Sequence, residues 1–313
     1  MDAGVGVTAL LVAAARAIET HRPDALARDP YAAHFVRAAR ASAGWPLRPE
    51  QVPGGDADPV WGRLGRYFGL RTRALDDALR AAAASGTRQF VLLGAGLDTR
   101  AFRLDWPPDS TVWEVDRPDM LGFKERVLDS LGAVPVARRV PVAADLREDW
   151  ATALLRAGLD PGAPTGWLAE GLLLYLPADA ERRLLVKVDE SSAPGSTLAY
   201  EVKLHREVRA VRHNPVYTAT RERLGIDLLA LFDGDPRPDS AADLAARGWR
   251  TRVDSPYDHT RRHGRGPRPE PDDALAVNRW VFAVKPAGGR GGGAAPPPPP
   301  PPHSRREGGG PRG

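Results

Sequence analysis

The sequence predicts a doubly wound α/β fold, in which a mostly parallel seven-stranded sheet carries an antiparallel edge hairpin and an N-terminal helical cap. Five short apolar runs of strand length follow one another between residues 89 and 202, and helix-like segments separate most of them. Strand, helix and strand at this spacing form βαβ units, whose strands pair in parallel. A Gly-x-Gly turn directly follows the first run, as at the ligand-binding edge of such sheets.

The N-terminal region, residues 1–86, is predicted to form the helical cap. Its three segments of helical patterning are Gly4–Ile18, Pro30–Ala41 and Asp58–Ala84. The third segment predicts one long helix or two, and it stops at Ser85 and Gly86, a common helix end. The first segment is apolar but lacks the basic stretch that precedes a secretion signal, so we expect a helix there.

The central region, residues 87–202, is predicted to hold the parallel strands. The five strand-length runs are Gln89–Leu93, Thr111–Val115, Arg139–Ala143, Gly166–Ala169 and Thr197–Val202. The helical segments between them are Arg117–Leu131, Asp149–Gly158 and Ala178–Ser191. Because strands alternate with helices, this region should form the ligand-binding core of the fold.

Residues 203–285 are predicted to form a lid and the last two strands. Ser240–Arg247 has helical patterning, and the runs Trp249–Val253 and Arg279–Val284 predict the edge hairpin. The segment Asp258–Asp273 is rich in arginine and proline and is therefore predicted as a loop.

Residues 286–313 form a low-complexity tail in which nine residues are proline and nine are glycine. Such a composition cannot bury a core, so we expect the tail to be disordered. Its unbroken run of prolines leaves open a role as a ligand for a proline-recognising protein, against the simpler interpretation of a linker. Residues 1–285 are then predicted to be a single domain.

Composition and charge exclude several classes of protein. The chain of 313 residues has no cysteine, which excludes disulfides, cysteine-ligated zinc and thiol catalysis. No apolar run reaches the roughly 18–20 residues that span a bilayer, and we expect a cytoplasmic protein without membrane contact. The net charge is +4, and the tail contributes most of it, through four arginines and one glutamate. The rest of the chain is therefore nearly neutral, so a nucleic-acid partner is not expected.

The sharpest motif is the run Val91–Arg100, in which an apolar strand leads into a turn containing Gly94 and Gly96. Glycines at these positions allow a tight turn and the close approach of a ligand to the backbone. A dinucleotide-binding turn needs a third glycine where this chain has Thr99. A NAD-dependent oxidoreductase is therefore an alternative that the motif disfavours, and the lysine of a phosphate-binding P-loop is also absent.

Acidic residues follow the next three strands. Asp116 ends the second strand, 20 residues after Gly96, where a carboxylate can accept the hydroxyls of a ribose. Asp145 follows the third strand and can accept the amine of an adenine, with Leu146 packed against the ring; a helix N-cap is the alternative for Asp145. Glu170 ends the fourth strand inside an apolar stretch, where a buried acid needs a partner.

The carboxyl ends of parallel strands meet at one edge of a sheet, so these acids and the glycine turn should share one cleft. No motif for hydrolysis accompanies them, because the chain lacks both a Gly-x-Ser-x-Gly elbow and a His-Glu-x-x-His pair. The seven histidines show no metal-ligand spacing, so no metal site is predicted. The sequence assigns no catalytic residue.

Taken in order along the chain, these motifs resemble the class I S-adenosylmethionine-dependent methyltransferases, and specifically their leucine carboxyl methyltransferase-like branch, which has many actinobacterial members. The matching segments are Val7–Ala9, Arg28–Tyr31, Arg71–Arg73, Leu93–Arg100, Glu114–Asp116, Asp145–Arg147 and Ala169–Leu172. The resemblance covers about residues 5–285 and weakens across 203–240 and 254–278. It implies a Rossmann-like methyltransferase fold and leaves the methyl acceptor open.

The resemblance implies that S-adenosyl-L-methionine is the cofactor, and it assigns a part of that molecule to each motif. Gly94 and Gly96 would line the methionine part, and Asp116 would hold the ribose. Asp145 and Leu146 would hold the adenine.

Two further residues would contact the polar end of the cofactor, by the same resemblance. Glu170 would face its amino group near the sulfonium. Arg71, from the helical cap, would pair with its carboxylate, since an arginine fork suits bidentate contact. An ordinary surface charge on a helix is the alternative for Arg71.

The implied reaction transfers a methyl group to an oxygen of a small-molecule or peptide acceptor. A carboxylate acceptor needs no general base, whereas a hydroxyl acceptor does, and no base is evident, which favours a carboxylate. Tyr217 and Phe232 are expected to shape the acceptor pocket. A non-catalytic binding module, recruited through the proline-rich tail, stays open as a second alternative.

Overall fold

The structure is a computed structural model of the chain, and it describes residues 5–203, 212–232, 237 and 239–287. Part of the predicted lid and the tail from residue 288 onward lie outside the described residues. Within those ranges, one sheet carries an apolar core on each of its two faces.

The sheet confirms the predicted fold class. Its strands are β1 (Gln89–Leu93), β2 (Thr111–Asp116), β3 (Arg138–Ala143), β4 (Thr165–Ala169), β5 (Thr197–Lys203), β6 (Arg250–Asp254) and β7 (Asn278–Val284). They lie in the order β3-β2-β1-β4-β5-β7-β6, with the first five parallel and β7 antiparallel to both β5 and β6. Because the strand order reverses between β1 and β4, a cleft opens at their carboxyl ends.

Helices pack against both faces of this sheet. The α-helices of the described chain are α1 (Val5–Thr20), α2 (Ala32–Ala38), α3 (Gly65–Ala84), α4 (Arg100–Arg103), α5 (Pro118–Ser130), α6 (Trp150–Arg156), α7 (Ala178–Glu190), α8 (Pro215–Leu224), α9 (Leu228–Leu231), α10 (Ser240–Ala246) and α11 (Pro256–His263). Short 3₁₀ turns cover Arg40–Ser42, Pro49–Gln51, Gly55–Ala57 and Leu173–Tyr175.

Two helices of the cap differ from the predicted bounds. The segment predicted as one long helix or two begins with a π-helical stretch, Pro59–Leu64, which continues into α3. Asp58 caps this stretch by accepting the N–H of Val60 at 3.0 Å and of Trp61 at 2.7 Å. The prediction of a helix up to residue 41 is too long, since α2 ends at residue 38 and a separate 3₁₀ turn follows.

The predicted loop Asp258–Asp273 is wrong in its first part, because α11 continues to His263. Its start is fixed by a capping box, in which Ser255 accepts the N–H of Asp258 and the Asp258 carboxylate accepts the N–H of Ser255 at 2.7 Å. The proline after Ser255 suits the first helical position, where its missing N–H costs nothing. The arginine-rich composition predicted a loop, although the sequence contains the capping residues that start this helix.

Apolar packing holds the cap against one face of the sheet. Phe90 and Leu92 of β1 point into a core that also contains Leu10 of α1 and Leu70 of α3. Val91 and Leu93 of the same strand point to the opposite face, into a second core. This alternation is what a central parallel strand buried on both faces requires, and it sets α1 and α3 beside the strand ends.

A buried ion-pair cluster fixes β2 to its neighbours below the tip of the strand. The side chains of Glu114 and Lys124 are fully buried, and Lys124 Nζ lies 2.8 Å from Glu114 Oε2. Arg139 Nε donates to the same oxygen at 2.8 Å. Because Lys124 lies on α5 and Arg139 on β3, the cluster positions the end of β2, where Asp116 stands.

We expect Lys124→Met to lower the free energy of unfolding by about 3 kcal/mol, because it leaves the buried Glu114 carboxylate with one cation instead of two. Urea unfolding followed by circular dichroism measures this. The matched control is Lys187→Met, which removes an exposed lysine paired with Glu190 and should change the same quantity by less than about 0.5 kcal/mol. Equal losses in the two variants would contradict a stabilising role for the buried cluster.

Candidate functional site

A cavity of about 430 Å³ opens at the carboxyl ends of β1, β2, β4 and β5, and the cap helices α1 and α3 close its other side. Its volume is typical of a small-molecule site. The structure brings all seven predicted cofactor residues to its wall: Arg71, Gly94, Gly96, Asp116, Asp145, Leu146 and Glu170.

The glycine turn after β1 needs residues without a side chain. Gly94 and Gly96 have φ angles of 63° and 47°, in the left-handed region that other residues rarely adopt. A Cβ atom on Gly94 would also lie 2.9 Å from a methyl group of Leu172. The turn therefore exposes bare backbone to the cavity, which is what close approach of a ligand requires.

Asp116 reaches back over this turn from the end of β2. Its Oδ2 accepts the N–H of Gly96 at 2.6 Å, and its Oδ1 accepts the N–H of Arg117 at 2.7 Å. Burial raises the pKa of Asp116, although both hydrogen bonds oppose this shift. Each oxygen keeps a lone pair that can accept a hydroxyl group from a ligand.

Asp145 and Leu146 form the outer wall beyond β3. The Asp145 carboxylate pairs with Arg147 Nη2 at 2.5 Å, and this hydrogen bond lowers the pKa of Asp145 to about 2. The alternative interpretation of Asp145 as a helix N-cap is wrong, because Asp149 caps α6. Leu146 is partly buried and packs on the second core, so an apolar contact lies beside an ionised carboxylate.

Arg71 of α3 crosses from the cap to the sheet and joins two strand tips. Its Nε donates to Glu170 Oε1 at 3.0 Å, and its Nη1 donates to Glu201 Oε2 at 2.6 Å. Register pairs Ala169 of β4 with Tyr200 of β5, so the two glutamates stand side by side. Arg71 is therefore a buried bridge, and its interpretation as a surface charge is wrong.

Arg100, at the start of α4, completes this cluster. Its Nη1 donates to Glu170 Oε2 at 2.6 Å, its Nε donates to Asp76 Oδ1 at 2.7 Å, and it also pairs with Asp98. Burial alone would raise the pKa of Glu170, but the charges of Arg100 and Arg71 outweigh it and hold this pKa well below its ordinary value. Glu170 is thus an ionised carboxylate inside the protein.

Sequence reasoning missed Glu201 and Arg100 as members of the site. Glu201 lies inside a predicted strand, and its position beside the end of β4 depends on pairing register, which spacing along the chain does not give. A signal for it existed, because Glu201 is an acid near a strand tip, as Glu170 is. The sequence shows Arg100 only as the last residue of the run Val91–Arg100 and does not indicate that its side chain reaches Glu170.

The cavity also has apolar walls. Tyr217 of α8 and Phe232, just after α9, line it, and Leu228 and Leu275 form further apolar wall. That Tyr217 and Phe232 shape an acceptor pocket stays a prediction. Lys203, the last residue of β5, also lines the cavity, and its Nζ lies 4.6 Å from the centre of the Phe232 ring.

The described part of the chain contains no group of three or more histidine or acidic side chains arranged to hold a metal ion. No helix in these residues has both the length and the apolar character needed to cross a lipid bilayer.

Known proteins are similar to this chain in sequence and in fold. A model of the leucine carboxyl methyltransferase family matches residues 9–189. A Streptomyces coelicolor protein, whose name assigns it to the S-adenosyl-L-methionine-dependent methyltransferases, is 64% identical over 284 residues, which cover 90% of this chain and 94% of that protein. A similarly named protein from Saccharopolyspora erythraea is 47% identical over 252 residues, covering 80% of this chain and 85% of that protein.

Among solved structures, a crystal structure named for a methyltransferase from Thermobifida fusca aligns with a TM-score of 0.50 and 21% identity, over 80% of this chain and 94% of that one. The fold is thus that of the class I S-adenosylmethionine-dependent methyltransferases. Within this class, the chain belongs to the leucine carboxyl methyltransferase family.

The residues around the cavity fit S-adenosyl-L-methionine. Arg71 Nη2 has no hydrogen-bond partner among the described residues, so it can donate to the carboxylate of the cofactor while Nε and Nη1 hold the glutamates. Asp116 keeps lone pairs for the ribose hydroxyls. The glycine turn leaves bare backbone between these two residues.

Arg71→Met should lower the free energy of unfolding by about 3 kcal/mol, because it leaves the buried Glu201 carboxylate without its arginine. Arg71→Lys restores a charge but not the fork, so it should recover part of the loss. The control is Arg73→Met, two residues along α3, whose side chain is 40% exposed and pairs with Asp77. Chemical unfolding of the three variants measures the difference, and an Arg71→Met loss no larger than that of Arg73→Met would refute the bridge.

Proposed function

We propose that this chain transfers the methyl group of S-adenosyl-L-methionine to a carboxylate oxygen of a small-molecule or peptide acceptor. The observation that carries the proposal is the hydrogen bonding of the acidic side chains that line the cavity. Each accepts a hydrogen bond from an arginine or a backbone N–H of the described chain: Asp98, Asp116, Asp145, Glu170 and Glu201. Among the described residues no histidine lines the cavity.

Once Asp116, Asp145 and Glu170 hold the cofactor, as proposed here, and arginine holds Asp98 and Glu201, the described part of the chain leaves no cavity carboxylate or imidazole free to act as a general base. A hydroxyl acceptor would require such a base, whereas a carboxylate is already anionic near neutral pH. The family's description as leucine carboxyl methyltransferases supports the same acceptor group.

When bound, S-adenosyl-L-methionine supplies a methyl group already activated on a sulfonium. The contribution of the protein is then positioning, which can lower a barrier by roughly 7–11 kcal/mol when two reactants are well aligned. In this proposal Gly94 and Gly96 admit the methionine part to the backbone. Asp116 holds the ribose, and Asp145 and Leu146 hold the adenine.

The polar end of the cofactor would lie against the Arg71 bridge. Arg71 Nη2 would donate to its carboxylate, and Glu170 would accept from its amino group. Because Arg71 and Arg100 keep Glu170 ionised, this acceptor is available without a change of protonation. We further propose that residues 1–285 act as one catalytic domain, with the proline-rich tail outside it.

Asp116→Ala should reduce the affinity for S-adenosyl-L-methionine by about 100-fold or more, because it removes two hydrogen bonds to a charged acceptor. Calorimetric titration measures this, with NAD as a control ligand that wild type should not bind. The matched variant is Asp119→Ala, whose exposed carboxylate lies three residues on and should leave the affinity unchanged. Wild-type affinity in a folded Asp116→Ala protein would exclude the assigned ribose contact.

The acceptor group is tested with S-adenosyl-L-methionine carrying a labelled methyl group. Purified protein is incubated with a panel of carboxylic acids and, in parallel, with the primary alcohols of the same skeletons. We expect label only in methyl esters, which mild alkali cleaves to labelled methanol. Alkali-stable label from the alcohols alone would contradict a carboxylate acceptor.

A further inference from the structure

Lys203 differs from the other cations of the cavity. Four arginines also line the cavity, and each forms an ion pair with a carboxylate of the described chain: Arg16, Arg71, Arg117 and Arg147. No carboxylate among the described residues lies within ion-pair distance of Lys203, whose one close contact with a charged or aromatic group there is the Phe232 ring. Burial lowers the pKa of Lys203 to about 8, so its ammonium form is costly but still prevails at neutral pH.

The strand directs this ammonium group into the cavity. Residues two apart on a strand point to the same face, so Lys203 shares the face of Glu201, which holds the Arg71 bridge. Phe232 covers one side of the ammonium and packs against Tyr175, with 6.1 Å between their ring centres. A ring face attracts a cation but does not neutralise it. The charge of Glu201 also favours the ammonium, but Glu201 lies beyond ion-pair distance and is bound to Arg71, so a ligand carboxylate can balance the charge of Lys203.

Tyr217 provides a second, independent observation in the wall of the same cavity. The residue is only 6% exposed, yet its hydroxyl group has no hydrogen-bond partner in the described chain. A buried hydroxyl without a partner costs free energy, unless a ligand supplies the missing bond. Burial raises the pKa of Tyr217 to about 12, so it is a neutral donor at physiological pH.

Apolar side chains form much of the wall of this cavity. Val216, Leu228 and Leu275 line it together with the Phe232 ring. A cation and a hydroxyl donor set in such walls match a molecule with one anionic group and an apolar body.

We propose that Lys203 and Tyr217 determine acceptor specificity, with Lys203 binding the carboxylate that becomes methylated and Tyr217 donating a hydrogen bond to the acceptor, whose body is apolar. This assignment rests on the proposed function. One carboxylate oxygen forms the new bond to the methyl carbon as the bond from that carbon to sulfur breaks, and the sulfur keeps the electron pair. The carboxylate loses its charge as the sulfonium loses its own, so no proton needs to move.

The assignment predicts a charge preference that disappears with Lys203. The probes are benzoate, 3-phenylpropionate and octanoate, each compared with its neutral primary amide, titrated into protein saturated with S-adenosylhomocysteine. At least one acid should bind wild type about tenfold more tightly than its amide, and Lys203→Met should abolish this preference. Lys203→Arg should retain it, and Tyr217→Phe should weaken binding of that acid about threefold or more.

The same variants separate binding of the acceptor from a role of Lys203 as a base. With S-adenosyl-L-methionine, Lys203→Met should raise the KM for the acid and leave the KM for the cofactor unchanged. Lys203→Arg should keep most of kcat, whereas a base would lose kcat in both variants. The remote control Lys187→Met should behave as wild type in every measurement.

The assignment is overturned if no acid of the panel binds, if acids and amides bind alike, or if the preference survives Lys203→Met. Titration of S-adenosylhomocysteine into each variant distinguishes this failure from failure of the proposed function. A protein that binds the cofactor product and esterifies acids, but ignores Lys203→Met, refutes only the role of Lys203. A protein that does not bind S-adenosylhomocysteine refutes the proposed function itself.

Discussion

The bridge from Arg71 to Glu170 and Glu201 is the interaction on which the cavity depends. The two glutamates lie side by side, Glu170 just after β4 and Glu201 within β5. Like charges so close together inside a protein are stable only if a cation neutralises them. Arg71 supplies that cation from α3, so the same contact that neutralises the strand tips also closes the cap over them. Arg100 holds the other oxygen of Glu170 from the sheet side. Fold and site are thus joined through one buried network.

A second contact attaches the cap to the glycine turn. Arg16 of α1 donates to the backbone carbonyl of Leu97 at 2.6 Å and pairs with Asp29 at 3.0 Å. The turn that would receive the cofactor is therefore supported by the cap as well as by β1. This explains why residues far apart in sequence, from position 8 to position 278, line one cavity.

Features set by local pattern could be predicted from the sequence. The Gly-x-Gly turn and Asp116 could be placed because parallel strands bring their carboxyl ends together. Contacts that depend on strand register or on the docking of the cap, such as Glu201 beside Glu170 and Arg16 at Leu97, could not be derived from spacing. The helix α11 was missed for a different reason, since its capping box at Ser255 was present and its composition was given more weight. Lys203 could not be singled out either, because the ion pairs of the other cations in the cavity are known only from the structure.

The most direct test is a crystal structure with bound S-adenosylhomocysteine, because one arginine is assigned to the fold and to the ligand together. We expect Arg71 Nη2 to lie about 3 Å from the carboxylate of the ligand, while Nε and Nη1 still hold the two glutamates. A ligand carboxylate bound by other residues, with Arg71 engaged only by Glu170 and Glu201, would show that the bridge is structural and has no part in recognition.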